Sequence, residues 1–311
     1  MKKALLVLIL GLIFVGIFGY VTTAKPVQKG LVLGESINNF YLEKTVKIHK
    51  YPKKIEPAAK VNIQADAAQL IDSKTKYPLF EKNPNKSVPI ASITKVMTAI
   101  VVLDSYKLSD VVDVTKEDTE VIGSKVFLKA GEKLRVEDLL YCLLMPSGND
   151  AAVTLATYKQ SQQQFVEMMN QKAEEIGLKN TKFKDPAGLN DEGRSTAHDV
   201  AILFSYAMNK EDFIKIISTA EKTVTSTDGS EEHELKNSNR LTTGEIPMDG
   251  IIGGKTGFTP DAGHTLVSSA EKDGNRIIGV VLNTYSNAPS ASAEEMKKLL
   301  TYGLTSYSFP N

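Results

Sequence analysis

Strand-length apolar runs near both ends of this 311-residue chain enclose a long stretch of helical periodicity, and that order narrows the folds open to it. Val61 to Ile71 and Tyr77 to Phe80, separated by the turn residues Asp72-Ser73-Lys74, predict a hairpin. Gly250 to Thr256, Thr265 to Ala270 and Arg276 to Leu282 predict three more strands, the last two joined at Asp273-Gly274, and an amphipathic helix follows over Ser292 to Tyr302. Between these regions, from about Ser109 to Thr219, helical spacing dominates over Val136 to Leu144, Ala151 to Tyr158, Gln162 to Ile176 and Thr196 to Met208. Another buried helix opens near Ser92, with Ile93, Val96, Met97, Ile100, Val101 and Leu103 at its apolar positions. The expectation is a sheet built from both ends of the sequence plus a helical insert.

The N-terminus carries an address rather than a core. Lys2-Lys3 precede eighteen uncharged residues, Ala4 to Val21. A secretory apolar core is usually about 7 to 15 residues and a spanning helix needs about 20. Residues 1–24 therefore predict an N-terminal membrane helix held by Lys2 and Lys3 on the cytoplasmic side, with a signal peptide cleaved after Thr22-Thr23-Ala24 as the alternative. Either one places the remainder on the extracytoplasmic face of the cell membrane or beyond it. Residues 25–60 contain prolines and, in their second half, Lys44, Lys47, Lys50, Lys53, Lys54 and Lys60 against Glu43 and Glu56. They read as a basic linker, which leaves 61–311 as the folded domain.

Thirty-seven Lys plus Arg balance thirty-seven Asp plus Glu, so no global positive field favours nucleic acid as a partner. One cysteine, Cys142, excludes an intramolecular disulfide and any zinc site built on two cysteines, and its apolar neighbours Leu139 to Leu144 make it a core residue. His49, His198, His233 and His264 are too widely spaced for a paired-ligand helix, so no motif-type metal site is expected. His198 and Asp199 follow Ser195-Thr196 at a helix start, which reads as capping, and His264 after Gly263 is expected to enter a core strand.

Chemistry first enters at Ser92-Ile93-Thr94-Lys95, where a hydroxyl and an amine three residues apart share one helical face. Serine is a poor nucleophile until a base takes its proton, and lysine is a base only when burial or nearby positive charge lowers its pKa. The same spacing at Ser73-x-x-Lys76 and Ser269-x-x-Lys272 falls at a predicted turn and a strand end. What distinguishes Ser92 is the order of motifs behind it. Ser147-Gly148-Asn149 lies between two helices, and Lys255-Thr256-Gly257 ends an apolar strand, where backbone groups can pair with an extended peptide.

Ser-x-x-Lys, Ser-x-Asn and Lys-Thr-Gly in this order resemble the penicillin-binding protein and serine β-lactamase superfamily. Pro89 to Ala99, Met145 to Ala152, Asp185-Pro186-Ala187-Gly188-Leu189 and Gly253 to Thr259 look, more narrowly, like the low-molecular-weight D-alanyl-D-alanine carboxypeptidases, over about Ala65 to Tyr302. The resemblance implies an α/β (α+β), β-lactamase/DD-peptidase-like fold, an antiparallel sheet flanked by helices plus a helical lobe, and a penicillin-sensitive serine peptidase that needs no cofactor. It makes Ser92 the acyl-forming nucleophile, Lys95 its base and Ser147 a proton relay. Asn149 would hold the substrate amide. Lys255 would lower the pKa of Lys95 and, with Thr256, attract the terminal carboxylate. Gly257 would let the substrate approach, and the N–H groups of Ser92 and Phe258 would form the oxyanion hole. The implied partners are peptidoglycan stem peptides, with β-lactams as covalent inhibitors and the membrane reached through the N-terminus. A class A β-lactamase would carry a deacylating Glu three residues before Leu189-Asn190, where this chain has Pro186. A non-catalytic β-lactam sensor is the other alternative.

Overall fold

The computed structural model describes residues 51–57 and 60–310. Five strands form the main sheet: β1 (Ala65–Asp72), β2 (Pro78–Lys82), β3 (Ile251–Thr259), β4 (Gly263–Lys272) and β5 (Asn275–Thr284). Their order is β3-β4-β5-β1-β2, antiparallel throughout, so residues from the two ends of the sequence meet where Val281 of β5 stands opposite Ala68 of β1. The sheet is covered on both faces, which explains why β5 reads as a continuous apolar run. Ile278, Val280 and Leu282 face one core, while Ile277 and Val281 face another.

Two helical layers make those cores. On one face lie α1 (Lys95–Ser105), α2 (Lys116–Thr119), α3 (Val136–Leu144), α4 (Asn149–Thr157), α5 (Gln162–Ile176), α6 (Ala197–Ala207) and α7 (Glu211–Ile217). Every residue of α1 from Lys95 to Val102 is buried, as an apolar surface on all sides requires. The first of these residues is a lysine, so the fold carries an amine into its interior. On the opposite face α8 (Ala291–Ser306) buries Met296, Leu299 and Leu300, each contributing about 1.5 to 3 kcal/mol by removal from water. Local sequence fixes helix ends as well. Ser161 and Gln164 form a reciprocal capping box at α5, and Thr196 Oγ1 accepts from Asp199 N at α6, so Thr196 is the cap among the four residues expected to provide one.

Two regions differ from the sequence reading. The spacer expected to reach Lys60 already contains structure, because Lys53–Lys54 pair with Tyr307–Ser308 and Ile55 N donates to Ser306 O at 2.9 Å. A hairpin over Glu221–Thr225 and Glu232–Lys236 has no counterpart in that reading. Its buried members are Val224, His233 and Leu235, an alternation masked by flanking charge. Ser269-x-x-Lys272 closes β4 at its C-terminal end, as expected, with the Ser269 hydroxyl donating to Ile277 O. Among the described residues no helix is long and apolar enough to cross a membrane, and the membrane helix expected over residues 1–24 lies outside them.

Candidate active site

A short 3-10 turn, Ala91–Thr94, delivers Ser92 to the start of α1, half-buried at the junction of the sheet and the helical layer. Lys95 follows one turn later and is fully buried. Its Nζ lies 2.8 Å from Ser92 Oγ, 2.7 Å from Asn149 Oδ1 and 2.7 Å from Ala187 O, three acceptors for the three donors of an ammonium. Burial pushes Lys95 down to about 7, against the opposing pull of the Asp185 and Asp150 carboxylates. Near neutral pH the amine is thus available in both forms beside the hydroxyl it would deprotonate.

The Ser147 motif forms the second wall. Ser147 takes a left-handed backbone, φ +70°, and its buried hydroxyl pairs with no group among the described residues. Such a conformation in a non-glycine residue carries strain of about 1 to 3 kcal/mol and concentrates at functional sites. Asn149 opens α4, but both ends of its amide are engaged: Oδ1 on Lys95 and Nδ2 on Ile122 O at 2.6 Å. In this arrangement Asn149 holds the lysine, while its Nδ2 has a second N–H beyond the one given to Ile122 O. Asp150, fully buried beside it, accepts from the backbone N–H groups of Val126, Phe127 and Leu128 and so secures the loop around Asn149.

Strand β3 supplies the third wall. A Cβ at Gly257 would stand 3.1 Å from Ser92 N and 3.0 Å from Ile90 O, so this position brings the strand backbone against the nucleophile. Lys255 is fully buried, and its Nζ donates to Thr256 O at 2.9 Å. Burial first, then the charge of Lys95, hold Lys255 well below the usual lysine range. At Lys95 itself burial is the leading cause of the lowering.

Phe258 is 55% exposed and stacks on His264, with ring centroids 4.5 Å apart. His264 enters β4, an interior strand of the sheet, as expected. It sits opposite Phe258 in the β3–β4 ladder, where the side chain stays half-buried at the rim.

Ser92, Lys95, Asn149 and Lys255, predicted from three separated motifs, thus converge. Sequence reasoning missed three contributors: the carbonyl of Ala187, the carboxylate of Asp150, and Ser238, whose Oγ lies 2.6 Å from Thr256 Oγ1. Asp150 and Ala187 stood within recognised motif blocks, whereas Ser238 has no sequence signal. Cys142 is buried in α3, and burial holds its thiol well above the usual range, which removes it as a nucleophile. Among the described residues no group of three His, Cys, Asp or Glu side chains is placed to hold a metal ion.

Comparison with known proteins agrees with this geometry. Residues 53–286 match the family model described as D-alanyl-D-alanine carboxypeptidase. The D-alanyl-D-alanine carboxypeptidase DacF of Bacillus subtilis is 35% identical over 251 residues, which cover 78% of this chain and 63% of that relative. The D-alanyl-D-alanine endopeptidase of Pseudomonas aeruginosa is 34% identical over 245 residues, covering 78% of each protein. The crystal structure of the Streptomyces K15 DD-transpeptidase superposes with a TM-score of 0.74 at 31% identity, over 79% of this chain and 99% of that one.

Proposed function

Because the chain belongs to the D-alanyl-D-alanine carboxypeptidase family, we propose that it removes the terminal D-alanine from peptidoglycan stem pentapeptides through an acyl-enzyme on Ser92. The observation that carries this reading is the 2.8 Å approach of a fully buried Lys95 Nζ to Ser92 Oγ. Neutral Lys95 takes the Ser92 proton as Oγ attacks the carbonyl carbon of the penultimate D-alanine. The backbone N–H groups of Ser92 and Phe258 stabilise the oxyanion, each such donor typically contributing about 3 kcal/mol. As the C–N bond breaks, the proton passes from Lys95 to the leaving amine, with Ser147 as the relay. A water molecule then attacks the ester, gives its proton to the same base, and releases the tetrapeptide as Ser92 regains its hydrogen. Thr256 and the Lys255 charge attract the terminal carboxylate.

The test combines a fluorescent penicillin with a D-Ala-D-Ala peptide. Penicillin should label Ser92 by mass spectrometry, and Ser92→Ala should abolish both labelling and D-Ala release. A label on Ser147 or Ser269, or labelling without peptide turnover, would overturn the proposal, the latter in favour of a β-lactam sensor. Fast β-lactam hydrolysis is disfavoured, because a proline occupies the position of the deacylating Glu and the carboxylate of neighbouring Asp185 is taken up by backbone N–H groups. The penicilloyl adduct should accordingly outlast the peptide acyl-enzyme.

Residues 1–24 are assigned to membrane attachment and the domain to the extracytoplasmic face. Recovery of the exported protein in the membrane fraction supports this. A form free in the medium that begins at Lys25 would make the segment a cleaved signal peptide instead.

A further inference from the structure

The loop Asp185-Pro186-Ala187-Gly188-Leu189 was marked by its sequence but has no part in the mechanism above. Asp185 Oδ1 accepts from the N–H groups of Ala187 at 2.7 Å, Gly188 at 2.6 Å and Leu189 at 3.2 Å, while Oδ2 accepts from Asn190 at 2.8 Å. In a trans peptide the N–H and the preceding C=O point in opposite directions. Gathering the Ala187 and Gly188 N–H groups on Asp185 therefore turns the carbonyls of Pro186 and Ala187 the other way, onto α1. There Thr98 Oγ1 donates to Pro186 O at 2.6 Å and Lys95 Nζ donates to Ala187 O at 2.7 Å. The fit leaves no slack: Gly188 has φ +79°, and a Cβ there would stand 2.0 Å from Ala91 O.

The consequence concerns the neutral amine, which has two N–H donors and one lone pair. Ala187 O and Asn149 Oδ1 only accept, so they take the two N–H groups and leave the lone pair to the remaining neighbour, the Ser92 hydroxyl. We propose that Asp185 is a positioning residue that, by fixing the Ala187 carbonyl, aims the Lys95 lone pair at Ser92. The inference rests on the reading of Lys95 as the base. Its charge acts alongside its geometry: Asp185 from this loop and Asp150 from α4 stabilise the Lys95 ammonium, and Lys255 from β3 is the cation facing it.

The experiment uses the full chain and measures the rate of penicillin acylation from acid to alkaline pH for wild type, Asp185→Asn, Asp185→Glu and Lys95→Ala. Asparagine keeps the shape but loses the charge and one acceptor. The plateau rate should fall about tenfold or more, and the acid limb should move to lower pH, because Lys95 loses a carboxylate that favours its protonated form. Glutamate keeps the charge, so its limb should stay at the wild-type position while the displaced carboxylate lowers the plateau about threefold or more. A reduced Asp185→Asn plateau with an unmoved limb would make Asp185 only a loop brace and overturn the proposal, as would undiminished plateaus in both variants. If Asp185→Asn fails to fold, the Asp185→Glu plateau decides: a fall of about threefold or more at an unmoved limb supports the proposal, and an undiminished plateau overturns it. Retained acylation in Lys95→Ala would instead overturn the base assignment itself, whatever the Asp185 variants do.

Discussion

A lysine is a base near neutral pH only if folding removes its ammonium from water, and Lys95 is fully buried at the head of an apolar helix. With its pKa at about 7, the fraction of neutral amine falls as pH drops below 7. Acylation by penicillin should therefore decline about tenfold per pH unit on that side and level off above it. A flat profile between pH 5 and 8 would assign the proton to another group. Lys95→Ala should lose about a thousandfold in acylation rate. Lys255→Arg should lose far less, because a partner for a carboxylate need only stay charged. Comparable losses in stopped-flow acylation would contradict the division of roles. Ser92, Lys95 and Lys255 were legible because their chemistry depends on residue type and spacing. The partners of Asn149 and the orphaned hydroxyl of Ser147 were not, since each is set by where a distant loop lies.

At the scale of elements, α1 and β3 do the positioning. The all-round apolar character of α1 forces burial whatever its neighbours, and β3 must then approach Ser92 with no side chain between the backbones. Gly257→Ala should accordingly retain the fold, judged by circular dichroism, while its acylation rate drops about a hundredfold, because the added methyl pushes β3 away from Ser92 N. Unchanged acylation would show that the strand can shift without cost. The five strands of the sheet and the longer helices were readable from period-2 and helical patterns. The hairpin at Glu221–Thr225 and Glu232–Lys236 was not, because its outward residues are mostly charged and only Val224, His233 and Leu235 are buried.

For the molecule as a whole, the decisive contact joins sequence ends more than two hundred residues apart, β1 against β5. Most of the helices lie in the interval, and Ser92 stands where the helical layer meets the edge strand β3. The same closure reaches further back, to Lys53–Lys54 on Tyr307–Ser308, with Tyr51 packed on Tyr77 at 5.1 Å between ring centroids. A fragment beginning at residue 51 should thus be more stable than one beginning at residue 61, by about 1 to 2 kcal/mol for the lost hydrogen bonds and ring contact. Chemical denaturation of the two fragments checks this. Equal midpoints would return residues 51–60 to the role of spacer. Both fragments should turn over peptide, since every motif residue lies between Ser92 and Phe258.

The sequence by itself determined most of the strand and helix pattern, a candidate nucleophile and base, and the order of the three motifs, because periodicity and residue chemistry are local properties. Only the tertiary structure decided that Lys95 is stripped of water, that Asn149 and the Ala187 carbonyl occupy two of its protons, and that the His264 ring lies against Phe258. Those are matters of which distant backbone passes within 3 Å of a given atom, and that depends on how two cores and a sheet close together.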